Sequence, residues 1–263
     1  MKDMQPQHPD QSRVRKSFRR GLESYHDAAS VQAETARQLA RMLQDQAGAR
    51  RFGSVLEFGC GTGHLTRQLM QRFRADRLIL NDLVPEAGQV LQALDEETRL
   101  NARFEAGPVE SLPLPYQLDL IASASTVQWI PDLPALLSRL AMQLKPGGWL
   151  ALSGFGRSQF RELAALGSAA AAPSYLDADE WCSVLPDGLE IQQIAQHPSV
   201  LEFGSAVELL KHLRQTGVNG NAQQGWSRRK LCSFEDDYRE RFGRGCKLPL
   251  TYDPVLLVAR RAG

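Results

Sequence analysis

The sequence predicts an α/β fold: a doubly wound, mostly parallel sheet, with helices before it and a helical insertion after its fifth strand. Three observations point to it. Short aliphatic and β-branched runs alternate with helical apolar spacing through the centre of the chain, the pattern of a parallel sheet covered on both faces. A glycine-rich turn stands directly between the first such run and the helix that follows, where free N–H groups gather at a helix start. Finally, 263 residues with 43% apolar and 23% charged side chains suit one large domain with a full core.

Taken in order, residues 1–12 are polar with two prolines and read as a frayed tail, and 13–20 (RVRKSFRR) carry five cations and no acid. Helical apolar spacing from Tyr25 through Ala29, Val31, Ala36, Leu39, Ala40 and Leu43 predicts one or two helices over 24–46. Strand 54–57 (SVLE), helix 64–73, strand 77–82 (RLILND) and helix 85–94 follow. Strands at 103–106 and 118–123 (LDLIAS) come next, then a helix over 133–144, stopped by Lys145-Pro-Gly-Gly148, and a fifth strand at 149–153. Residues 157–186 then look helical with no intervening strand, as an insertion or lid would. The remainder reads as β at 189–195 and 200–203, helix at 206–215, a Gly/Asn/Gln loop at 217–225 and a last buried strand at 255–259. The domain reading is a tail and helical cap over 1–46 and one domain over 47–263, with the insertion at 157–186.

Composition narrows the function. Lys plus Arg number 31 against 30 Asp plus Glu, so no whole-molecule field draws the chain onto nucleic acid. No run approaches the roughly 18 uncharged apolar residues of a spanning helix, and the N-terminus lacks an apolar signal core, so the chain is expected in the cytoplasm, off the membrane. Cys60, Cys182, Cys232 and Cys246 form no C-x-x-C pair and read as reduced thiols, with no metal site. No sustained apolar heptad appears, so a monomer is expected.

The strongest motif is Glu57-Phe-Gly-Cys-Gly-Thr-Gly63. Gly59, Gly61 and Gly63, around Cys60, let the backbone turn tightly beside a ligand, and the next helix start favours an anionic group. The spacing is G-x-G-x-G, not the G-x-x-G close of a dinucleotide turn. An acid two residues before Gly59 would repel a pyrophosphate, whereas a zwitterionic amino-acid tail can use the N–H groups for its carboxylate and Glu57 for its ammonium side. Asp82, nineteen residues after Gly63, ends the second strand, where an acid accepts from both hydroxyls of a ribose. Glu110 follows the third strand, on the side an adenine would face.

Over residues 50–155 this pattern resembles the class I S-adenosylmethionine-dependent methyltransferases. The resemblance implies a Rossmann-like, seven-stranded sheet and S-adenosyl-L-methionine as cofactor, held by Glu57 to Gly63, by Asp82 with Leu83, and by the segment from Ser123 to Gln128. Gln32 and Glu110 are read as facing the same ligand. Further segments look like one branch of that family, the malonyl-[acyl-carrier protein] O-methyltransferases: Phe18 and Tyr25-His-Asp-Ala-Ala-Ser-Val-Gln32, Val127-Gln128-Trp129 with Asp132-Leu133, Phe155-Gly156 with Phe160 and Glu162-Leu163, and Leu248-Pro-Leu-Thr-Tyr252. Gly21 and Leu22, His26, and Pro108 in place of an aspartate near the adenine depart from the pattern.

That likeness implies methylation of the free carboxylate of a malonyl thioester on an acyl-carrier protein, or of malonyl-coenzyme A, opening the pimeloyl chain of biotin. A carboxyl group with a pKa near ~4 is already ionised at pH 7, so no general base is required, in line with the absence of a His paired with an acid. Tyr25, Gln128 and Trp129, with Gln32, are the candidate walls of the reacting pocket, Tyr25 and Gln128 being able to donate hydrogen bonds. His64 reads as a helix-start residue. Two basic sets, 13–20 and Arg228, Arg229, Lys230, Arg241, Arg244 and Lys247, are candidate landing surfaces for an acidic carrier. Other readings stay open at this point: a methyltransferase acting on a free carboxylic acid or a quinone-ring carbon, or a catalytically silent binding subunit of the same fold.

Overall fold

The computed structural model describes residues 15, 19, 28–48, 51–89, 102–168, 172, 174–216 and 227–263. Among these the strands are β1 (Arg51–Phe58), β2 (Arg74–Asp82), β3 (Ala102–Ala106), β4 (Leu118–Ser123), β5 (Leu144–Phe155), β6 (Leu189–Gln196), β7 (Ser199–Phe203), β8 (Leu248–Tyr252) and β9 (Pro254–Arg261). Seven of them form one sheet in the order β3-β2-β1-β4-β5-β9-β6, and β7 pairs with β8 in a separate ribbon. The pairs from β3 through β5 are parallel, and β9 lies antiparallel between β5 and β6. The expected α/β architecture is therefore present. Strand order reverses between β1 and β4, which opens a crevice at their carboxyl ends.

The helices are α1 (Ser30–Ala47), α2 (His64–Arg72), α3 (Leu133–Gln143), α4 (Arg161–Ala165), α5 (Trp181–Val184), α6 (Ala206–Gln215) and α7 (Arg228–Phe242). Side chains alternate across each strand, so each face of the sheet acquires its own core. Val55, Leu78, Leu80, Leu120 and Val258 pack against Ala36, Leu39 and Leu43 of α1 and Leu65 and Leu69 of α2. Leu56, Phe58, Ile121, Leu152 and Leu257 pack instead against Leu136, Leu137 and Leu140 of α3 and against Trp181. α3 starts where the Asp132 carboxylate accepts from Ala135 N at 3.0 Å, an N-cap on one of the otherwise unpaired donors of its first turn. α1 ends at Gly48, whose φ of 60° is the left-handed conformation that glycine supplies.

Three expectations change. The Lys145-Pro-Gly-Gly148 segment, read as a helix stop, is the beginning of β5, with a bulge between the pairs at Leu118 and Leu120; Gly147 takes φ 74° there. The expected helix 85–94 begins as a 3₁₀ turn over Pro85–Gly88, with Gln89 helical and residues 90–101 outside the described part. Between β5 and β6 only α4, a 3₁₀ turn over Ala178–Glu180 and α5 are helical among the described residues. No helix among them is long and apolar enough to cross a membrane.

A third core was not foreseen. Phe155, Phe160, Leu163, Leu209, Leu213, Tyr238, Leu248, Leu250 and Tyr252 enclose the β7–β8 ribbon with α4, α6 and α7. Two segments singled out in the sequence meet here: Phe160, in a left-handed conformation at φ 54°, donates its N–H to Thr251 O at 2.9 Å, and its ring stands edge-on to Tyr252 with centroids 5.0 Å apart. Glu162, 3% exposed, accepts the Thr251 N–H at 3.0 Å and the Thr251 hydroxyl. Glu162→Leu strands two buried donors, so a loss of about 2–4 kcal/mol is expected, read as a lower urea midpoint of the full chain.

Candidate active site: the cleft at the carboxyl edge of the sheet

The glycine turn leaves β1 directly into the crevice. Gly59, Gly61 and Gly63 all have positive φ, at 65°, 52° and 80°, and each serves a different need. A Cβ on Gly59 would stand 2.1 Å from Thr126 Oγ1, whereas one on Gly61 would meet no atom within 4 Å. Gly59 is thus the point where the loop after β4 closes on the turn, and Gly61 faces open space. Gly63 immediately precedes α2, its N–H donating to Cys60 O at 2.8 Å.

Asp82 sets the geometry of the turn from the neighbouring strand. Its Oδ2 accepts Gly61 N–H at 2.8 Å and its Oδ1 accepts Val84 N–H at 2.8 Å; each oxygen keeps a further lone pair. Asn81 donates to Glu105 O and Gly107 O, both at 2.9 Å, which fixes the loop after β3. From α3, the Arg139 guanidinium donates to the carbonyls of Val109, at 2.8 Å, Glu110, at 3.1 Å, and Leu112. The far wall is therefore held by side chains from two other elements.

The resulting cleft has a cavity volume of about 130 Å³ behind an open mouth. Glu57, Gly59, Cys60 and Gly61 from the turn, Asp82 and Leu83 after β2, Glu110 after β3, Trp129 after β4 and Gln32 from α1 all line it. Three expected residues sit elsewhere. Ser123 is fully buried, with its hydroxyl donated to Phe58 O at 2.7 Å, so it ties β4 to β1 and does not line the cleft. Gln128, 5% exposed, gives its amide N–H to Ser125 O at 2.7 Å and does not line the cleft. Gly63 caps the start of α2 and does not line the cleft. Tyr25 falls outside the described residues. His64, Thr62, Ser125 and Thr126 also line the cleft. Thr62 lies inside the segment Glu57 to Gly63, and Ser125 and Thr126 inside Ser123 to Gln128, where only the tertiary contact of Thr126 with Gly59 separates them from their neighbours, while His64 reads from the sequence only as a helix-start residue.

Charge defines what the cleft accepts. Among the described residues that line it there are three acids and no lysine or arginine. Burial pushes the Glu57 carboxyl up to about 8, with Thr66 offsetting part of the effect and the nearby Asp82 charge adding to it. Burial also raises Asp82, against the N–H bonds from Val84 and Gly61, and it keeps the Cys60 thiol protonated, with the Asp82 and Glu57 charges acting the same way. Gln32 Oε1, Glu57 Oε2, Thr62 Oγ1 and Ser125 Oγ are buried with no hydrogen-bond partner. Buried polar atoms of this kind are normally satisfied. A ligand with a cationic, hydrogen-bonding head would supply what they lack, and a pyrophosphate would not.

Comparison with known proteins agrees with this chemistry. A family model described as a methyltransferase domain matches residues 55–148. The malonyl-[acyl-carrier protein] O-methyltransferase of Chlorobium luteolum is 36% identical over 255 residues, covering 96% of both chains. The chain belongs to this family of class I S-adenosylmethionine-dependent methyltransferases. The Acinetobacter baylyi malonyl-[acyl-carrier protein] O-methyltransferase is 33% identical over 256 residues, 96% of this chain and 97% of its own. In fold, the methyltransferase is similar to the YcgJ protein of Bacillus subtilis, with a TM-score of 0.58 at 17% identity over 86% of this chain and 99% of that one. S-adenosylmethionine is the cofactor of this methyltransferase, and its ammonium and sulfonium charges suit the acid-lined cleft.

Proposed function

We propose that this methyltransferase methylates the free carboxylate of a malonyl thioester carried by an acyl-carrier protein, at the entry to the pimeloyl chain of biotin, in the cytoplasm. The observation that supports it is the near end-to-end likeness to relatives of that name, which extends well beyond the cofactor core.

In this reading Glu57 takes the ammonium side of the cofactor, Asp82 the ribose hydroxyls, and Pro108, Val109 and Glu110 border the adenine. When bound, S-adenosylmethionine supplies an electrophilic methyl group on a cationic sulfur. The acceptor is ionised at neutral pH, so the chain has no proton to remove and its work is placement and exclusion of water. Trp129 and Ile130, which line the cleft after β4, form the apolar side where desolvation raises the reactivity of the carboxylate. Arg228, Arg229, Lys230, Arg241, Arg244 and Lys247 are all exposed and give an acidic carrier a cationic surface to meet.

Intact-mass spectrometry of malonyl-acyl-carrier protein, incubated with the enzyme and S-adenosylmethionine, tests the reading. One methyl group is expected on the malonyl moiety, and none with Asp82→Ala. An unmodified carrier despite measured cofactor binding would reject this substrate and leave the methyltransferase assignment standing.

A further inference from the structure

Ser125 has a backbone its side chain does not favour. Its φ is 56°, the left-handed region disfavoured for L residues other than Asn and Asp, at the carboxyl end of β4 where the chain enters the cleft wall. Both of its backbone groups are tied down. The N–H is shared between Ser153 O and Ser153 Oγ, each at 3.0 Å, and the carbonyl accepts the Gln128 amide at 2.7 Å. Ser153 is fully buried and Gln128 is 5% exposed, so neither tie competes with solvent. What remains is the Ser125 hydroxyl, buried, without a partner, on a residue that lines the cleft.

We propose that Gln128 and Ser153 are positioning residues: they hold Ser125 in the left-handed conformation so that its hydroxyl is aimed at a polar group of the bound cofactor. Glycine would adopt this backbone without assistance. A serine there, with two buried side chains holding it, makes sense when the hydroxyl is used. Gln128 then acts through Ser125 and does not touch the substrate. The binding readout rests on the cofactor alone and stands whether or not malonyl-acyl-carrier protein is the acceptor.

The test is calorimetric binding of S-adenosylhomocysteine to the full wild-type chain, Ser125→Ala, Ser125→Gly, Gln128→Met and the Ser125→Gly/Gln128→Met double variant. Each serine variant should bind about tenfold more weakly, the scale of one buried hydrogen bond. Gln128→Met should weaken binding in the wild-type background and change it by less than about twofold in the Ser125→Gly background, since glycine needs no clamp. Equal losses in both backgrounds would overturn the positioning role. Wild-type affinity in Ser125→Ala and Ser125→Gly would overturn the hydroxyl's role, and these two variants decide that point even if Gln128→Met does not fold. Thermal unfolding of the ligand-free variants separates both from simple destabilisation, which would lower the melting temperature without producing the coupling.

Discussion

Gly59→Ala is expected to weaken S-adenosylmethionine binding by about 100-fold or more, because two penalties of about 1–3 kcal/mol each fall on one atom. The backbone sits at φ 65°, where a Cβ crowds the following carbonyl. The same Cβ would overlap the Thr126 side chain, 2.1 Å from Oγ1 and 2.6 Å from Cγ2. Either the turn or the loop after β4 must move, and both line the cleft. Calorimetry gives the affinity, and Gly59→Ala/Thr126→Gly provides the control: with the overlap gone and only the backbone penalty left, part of the affinity should return. Undiminished binding in Gly59→Ala would mean that the turn and the loop are not in the rigid contact described.

Cofactor affinity should also rise with pH between 6 and 7.5, by up to about tenfold per unit if binding releases one proton. The sign follows from Glu57. Burial holds its carboxyl up at about 8 in the ligand-free cleft, so it is protonated at pH 6, while a cationic ligand favours the carboxylate. Binding must therefore expel the proton, which is easier as pH rises. The same raised value makes the ligand-free protein lose stability as pH climbs from the ordinary carboxyl range, near ~4.3, towards 8, because the unfolded chain ionises freely and the folded one does not. Asp82, raised in the same direction, adds to this. Glu57→Gln should flatten the affinity profile and bind more weakly than wild type at pH 7.5. Calorimetry in two buffers of different ionisation enthalpy counts the protons; a count of zero with a flat wild-type profile would show that Glu57 stays protonated against the ligand.

The parts of the fold legible in the sequence were those whose local pattern and burial agree. β4 and α6 were read to their terminal residues because an apolar run and an amphipathic stripe each end where packing ends. β5 was read short because Pro and Gly normally punctuate a helix end, and only the pairing of Leu118 with Leu144 reveals that they start a strand. α7 is hard to read as a helix because its stripe of Leu231, Phe234, Tyr238 and Phe242 is narrow, with only Tyr238 fully buried among a run of charged residues. Of the residues lining the cleft, Glu57, Gly59, Gly61 and Asp82 stand out in the sequence because their spacing is itself the signal. Ser123 and Gln128 turn from the cleft although the segment between them borders it, because the carbonyls of Phe58 and Ser125 claim their side chains, and the first of those contacts lies far along the chain.

The position of β9 has a consequence for how the protein is made. Residues 254–261 occupy the slot between β5 and β6, although they follow both in the sequence. β1 to β5 can pair as they leave the ribosome, but β6 has no neighbour in the sheet until β9 has emerged. During synthesis the completed half must wait with the apolar edge of β5 uncovered, the kind of exposure that invites aggregation in partly folded chains. A premature stop just before Pro254 would therefore cost the sheet two strands.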